Sequence, residues 1–177
     1  MLATRPGRRA TGDSGASAVE FALVVPVLLL FIFGLINFAV IFTQQISLNN
    51  SVRQGARAAV VTGNTAQVTC AGVVQAVRDA ASSTLGMATT KIDVTVATQN
   101  AAGTLNATSP CGNAANPTST KIICEDSLKS GGSDSIVVTA KYQSKYPLPW
   151  PWVPSSSGVL GTGPMLSAKA VYRCEFT

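Results

Sequence analysis

Glu20 is a lone carboxylate set against the start of an apolar run, with "SGASAV" before it and "FALVVPVLLLFIFGLINFAVIF" after it. A charge at that edge is expensive, up to about 2.5–3.5 kcal/mol if it is drawn toward a bilayer centre. Its position therefore asks for a partner or a role. The second set of reactive groups is Cys70, Cys111, Cys124 and Cys174, all beyond the apolar run. An even number of cysteines in an oxidising, extracytoplasmic setting favours two disulfides. Three pairings are open. The expected ones are Cys111–Cys124, closing a mobile loop, and Cys70–Cys174, tying a helix to the final strand. A zinc site built from all four cysteines is disfavoured because no Cys-x2-Cys pair exists, so no metal is expected.

Other chemistry finds little to work with. The chain has no histidine, which removes the commonest general base and the commonest metal ligand together. It has no Gly-rich phosphate loop, Gly-x-Ser-x-Gly or Ser-x-x-Lys nucleophile motif. Asp79, Asp93, Glu125, Asp126 and Asp134 have no recognisable pairing, and such acids are ordinarily solvated surface. The reading is a non-enzymatic protein without a cofactor. The net charge is +5, but the basic residues are scattered and no aromatic-interleaved basic patch supports nucleic-acid binding.

The elements that position these residues begin with the apolar run itself. Phe21 to Phe42 is 22 residues with one polar interruption, Asn37, and no charge. As a helix it would extend about 33 Å, enough for a hydrocarbon core of about 30 Å. A buried core helix of a soluble protein usually keeps a polar stripe, which this run lacks, so a membrane span is expected. Pro26 removes the donor that would reach the Ala22 carbonyl and predicts a local bend. Arg5, Arg8 and Arg9 precede the run and "TQQISLNNS" follows it uncharged, which puts the N-terminus in the cytoplasm and the rest outside. A cleaved secretory signal fits poorly, since its apolar region is about 7–15 residues and ends in a small-residue cleavage site.

Beyond the membrane, Thr43 to Val61 continues as helix. Ile46, Val52, Ala56, Ala59 and Val60 fall near one face, with Gln44, Asn50, Arg53 and Arg57 on the others. Gly55 and its alanine neighbours would permit close approach of another helix or of a sheet. "CAGVVQAVRDAASSTLG" predicts a second, amphipathic helix from Cys70 to Gly86, with Val73, Val74, Val77, Ala81 and Leu85 at helical spacing. The period then switches to two in "KIDVTVAT", "SIVVTAKYQ" and "MLSAKAVYRCEF", with "KIIC" as a short additional strand. Strands after helices without βαβ alternation imply an α+β fold, a long N-terminal helix followed by a small domain with a second helix on an antiparallel sheet. Asn100 to Thr120 and Tyr146 to Pro164 are expected as loops. The latter carries Trp150 and Trp152 among prolines, a candidate contact loop serving as a partner-binding tip or membrane-interface anchor, or else folding its tryptophans onto the domain's own core.

The stretch from Gly15 to Val61 resembles the N-terminal signature of the TadE-like pseudopilins, minor pilins of the tight-adherence (Flp-type, type IVb-like) pilus. The matching parts are a small-residue run from Gly15, "AVEFALVVP", the apolar stretch, and a polar helix ending in "RQGARAAV". The final "SAKAVYRCE" matches the family's weaker C-terminal feature loosely. The resemblance implies cleavage of the leader, residues 1–15, by a prepilin peptidase between Gly15 and Ala16. Glu20 then becomes the fifth residue of the mature chain and Phe21 the sixth, the arrangement that peptidase and assembly machinery recognise; Gly12 would put Glu20 eighth. It also implies a transmembrane and stalk helix over residues 16–61 and an extracytoplasmic α+β head over residues 62–177. The partners implied are the membrane, the peptidase, the major Flp-type pilin, sister pseudopilins and the inner-membrane assembly platform. The alternative is an uncleaved, single-pass membrane-anchored binding domain.

Two effects offset the cost of Glu20. The helix macrodipole favours an anion in the first turns by about 0.3–1 kcal/mol. Cleavage would also create an α-amine at Ala16 that a neighbouring subunit can present to Glu20, fixing the axial register of packed helices. The simpler reading is that Glu20 only caps the helix in the interfacial zone.

Overall fold

The structure is a computed structural model, and it describes residues 13–60, 69–84, 87–100, 102–105, 111, 115–118, 135–147 and 162–173. The expected α+β class is observed. Helix α1 (Asp13–Val60) and helix α2 (Cys70–Ala81) precede three strands, β1 (Asp93–Gln99), β2 (Ser135–Lys145) and β3 (Thr162–Arg173). The chain divides into two compact units, Met1–Ile36 and Asn37–Thr177.

Helix α1 runs through Pro26 without a break. In apolar surroundings the backbone has no water to turn to, so a helix that loses one donor still satisfies the rest better than any open conformation. Arg57 lies in its last turn, where a cation complements the helix dipole. Thr69 caps α2, its hydroxyl accepting from the Gly72 N–H at 3.1 Å.

Helix α2 stops at Ala81, short of the expected Gly86. The reason is the Ser82–Thr84 run. Both the Ser82 hydroxyl (2.6 Å) and the Ser82 N–H (3.1 Å) bond the Asp79 carbonyl, a local pairing that competes with continuation of the helix. A 3-10 turn, Thr89–Lys91, then leads into β1.

The sheet is antiparallel in the order β1-β2-β3. Val96 lies opposite Val138, and Val138 opposite Ala170, so the expected alternation puts one face on the core. Ile92, Val94, Val96, Ile136, Val138 and Ala140 are buried there with Val73 and Val77 of α2 and Leu48, Val52 and Ala56 of α1. Strand β3 begins at Thr162, inside the stretch expected to be loop. A register shift at Gln143/Lys145 lets Lys145 pair with Thr162, and Ser144 Oγ donates to the Pro164 carbonyl at 2.8 Å. Proline is tolerated because β3 is an edge strand among the described residues.

The Asn100–Thr120 stretch is likewise not loop alone. Asn100 Oδ1 accepts from the Ala102 and Thr104 N–H groups at 3.1 and 3.0 Å, and Leu105 and Ala115 form bridges to Gln99 and Thr95 of β1. Asn116, at φ 53°, takes the Val94 N–H on its side-chain oxygen at 2.9 Å and donates to Asp93 Oδ1 at 3.1 Å. A left-handed backbone suits asparagine better than most residues. The segment thus closes the outer edge of β1.

That edge segment also decides the disulfide. Cys70 pairs with Cys111, Cα to Cα 5.6 Å, so the expected Cys70–Cys174 and Cys111–Cys124 pairings are both corrected. The return of residues 115–118 to β1 brings Cys111 to the start of α2, where Cys70 is the first helical residue. Cys124, Cys174, the "KIIC" segment and the Trp150–Trp152 loop lie outside the described residues.

Candidate functional site

Gly15, Ala16, Glu20 and Phe21 all lie in the first turns of α1 and are exposed. A side chain added at Gly15 would meet nothing within 4 Å, so glycine there answers no packing demand. Glycine lowers helix stability by about 1 kcal/mol relative to alanine, and the first four N–H groups of a helix have no intrahelical partner. Gly15 therefore eases local unwinding at the Gly15–Ala16 bond. Ala16 and Glu20 are four residues apart on one face. Because Cβ bonds tilt toward the helix N-terminus, the Glu20 carboxylate is directed back toward Ala16.

Next along α1, the side chains of Phe21, Leu23, Val24, Val27, Leu28 and Phe31 are exposed. A helix with so much bare apolar surface, long enough to cross a bilayer, fits a single-pass membrane anchor.

From Asn37 onward α1 is part of the second unit and packs within it. Gly55 is the contact point: a Cβ there would collide with Val77 Cγ2, and the Val73 carbonyl lies 3.5 Å away. Close approach at Gly55 was legible in the sequence, and α2 is the element that takes it. Three other positions were not. Gln45 Nε2 donates to the Ser167 carbonyl of β3 at 2.9 Å, the Ser47 and Thr84 hydroxyls share a hydrogen bond, and Gln44, expected on an outer face, is only 1% exposed. Ile46, expected inside, is 46% exposed. Averaged helical periodicity favours the isoleucine; only the position of the docking partner selects the glutamine. Among the described residues no cluster of cysteines and carboxylates could hold a metal ion.

A family model matches the N-terminal part of the chain. Its N-terminal segment is TadE-like: residues 15–57 match the model of the TadE-like proteins. The match supports membership of that family, and it suggests a protein associated with the Tad pilus. It starts at Gly15 and ends within α1, taking in the exposed anchor and the Gly55 contact but none of the sheet. No curated protein and no solved structure matches the chain.

Proposed function

We propose that the chain is a TadE-like pseudopilin, a minor subunit that initiates, primes or caps a tight-adherence Flp-type pilus. The observation that carries the reading is the arrangement at the start of α1. An unpacked glycine is followed at fixed spacing by an exposed glutamate and phenylalanine, at the head of a bare apolar helix. The TadE-like match begins at that same glycine.

In this reading a prepilin peptidase removes residues 1–15 and leaves Ala16 as the mature N-terminus. The anchor then holds the protein in the cytoplasmic membrane, N-terminus inside and C-terminal head outside. Assembly follows by lateral packing of apolar helices with the major pilin, sister pseudopilins and the assembly platform. The new Ala16 amine of one subunit pairs with Glu20 of another and sets their axial offset. No step requires catalysis by this chain.

The test is the mature N-terminus. Protein purified from cells making the pilus should begin at Ala16, and Gly15→Leu should retain the leader while keeping its fold. Recovery of an intact leader from the unaltered protein would sink the reading in favour of an uncleaved anchored domain.

A further inference from the structure

The apolar run and the docked part of α1 overlap. Counting from Phe21, a hydrocarbon core of about 30 Å takes about 20 helical residues and ends near Val40. Burial against the C-terminal unit begins earlier, at Asn37, which is 2% exposed. Ile41 packs against the core cluster, and Gln44 and Leu48 are buried after it. At that depth a side-chain amide facing lipid would be costly; Asn37 instead has its side chain within the protein.

The other side of the same turns is bare and apolar. Phe38 is 69% exposed and Phe42 56%, their rings stacked with centroids 6.0 Å apart. Ile46 continues that surface one turn later. Only then does the free side turn polar, with exposed Asn49, Asn50, Arg53 and Arg57. Thr43, between the two faces, returns its hydroxyl to the Ala39 carbonyl at 2.8 Å, which satisfies it without water.

We propose that the C-terminal unit is seated in the membrane interface. Over residues 37–46 one side of α1 faces protein while Phe38, Phe42 and Ile46 on the other face the acyl chains and interfacial zone of the adjoining leaflet. The occupant of the bare face is lipid for two reasons. It continues without a polar break from the exposed surface of the anchor, and the apolar length needed to cross the bilayer ends within it. The base of the C-terminal unit is thereby held at a fixed depth, and α1 has no free length of helix between bilayer and docking face.

Spin-label accessibility tests this in the full chain reconstituted into phosphatidylethanolamine–phosphatidylglycerol vesicles. Nitroxides are placed at Phe38→Cys, Phe42→Cys and, as a control in the polar region, Asn50→Cys. Unaltered protein exposed to the same reagent gives the background from native cysteines. Labels at positions 38 and 42 should collide severalfold more with oxygen than with a water-soluble nickel chelate, and the label at 50 should do the reverse. Chelate accessibility at 38 and 42 equal to that at 50 would place the unit clear of the bilayer. Shielding of 38 and 42 from both reagents would replace lipid with a second protein chain. Either result overturns the proposal.

Discussion

Gly55 carries the contact between α1 and α2, and adding a single methyl group there gives a prediction whose terms have opposite signs. In an isolated helix, Gly55→Ala would stabilise by about 0.8–1.0 kcal/mol. Here the new methyl would overlap Val77 Cγ2, and Val77 is fully buried. A helical valine has essentially one χ1 rotamer, so it cannot swing aside, and the Val73 carbonyl 3.5 Å away blocks the alternative shift. Overpacking of this kind costs roughly 1–3 kcal/mol. The balance predicts a net destabilisation of about 0–2 kcal/mol where propensity alone predicts a gain. Val77→Ala by itself should cost roughly 2 kcal/mol by opening a cavity. In the double variant the new methyl fills part of that space, so the two changes should couple favourably by about 1–2 kcal/mol. The assay is urea unfolding of the full chain in detergent micelles, followed by near-ultraviolet circular dichroism, on the unaltered protein and the three variants. A stabilised Gly55→Ala with additive single effects would refute the close packing of α1 on α2.

Three further outcomes follow from local contacts. The Cys70–Cys111 link spans a sequence separation of 41; by loop-closure entropy Cys111→Ser should lose roughly 4 kcal/mol, and non-reducing peptide mapping of the unaltered protein should recover Cys70 joined to Cys111. Asn116→Ala removes both the Val94 and Asp93 bonds and puts alanine at positive φ, so it should cost about 1–3 kcal/mol, whereas Asn116→Gly keeps the backbone and should cost less; chemical denaturation ranks the pair. Glu20→Gln changes an exposed side chain in the first turns of α1 and should shift stability by no more than about 0.5 kcal/mol, yet surface pili counted by electron microscopy should fall sharply if the carboxylate pairs with an Ala16 amine.

Much of the fold was legible because its signals are short-range. Ile92, Val94 and Val96 alternate as a half-buried strand must, and all three are buried. Val73, Val74, Val77 and Ala81 repeat as a helix face must, and that face meets the core. The apolar anchor is legible from length and composition alone. The misses have other causes. Ending α2 at Ala81 depends on whether Ser82 bonds Asp79 or leaves its carbonyl to the next turn. The exchange of Gln44 for Ile46 depends on where β3 and α2 sit around α1. The Cys70–Cys111 pairing depends on a loop closing back onto β1. The first is a choice between two local pairings of similar energy, which periodicity does not register; the other two are decided by contacts distant in sequence.

The two glycines of the matched segment differ in their packing, and on the proposed function they separate what is recognised from what is packed. Gly15 has empty space around it and Gly55 has none, although both fall within residues 15–57. A side chain at Gly15 cannot disturb the fold by collision, so any loss of processing from Gly15→Leu reports on what an external enzyme accepts. A side chain at Gly55 acts first on the docking of α1, at a site more than fifty ångströms of helix away by the rise of about 1.5 Å per residue. If a Gly55 variant were cleaved normally yet failed to support pili, the failure would lie in how the C-terminal unit is held on its helix. On the proposed function, the two substitutions would therefore divide the pathway at the point where maturation ends and assembly begins.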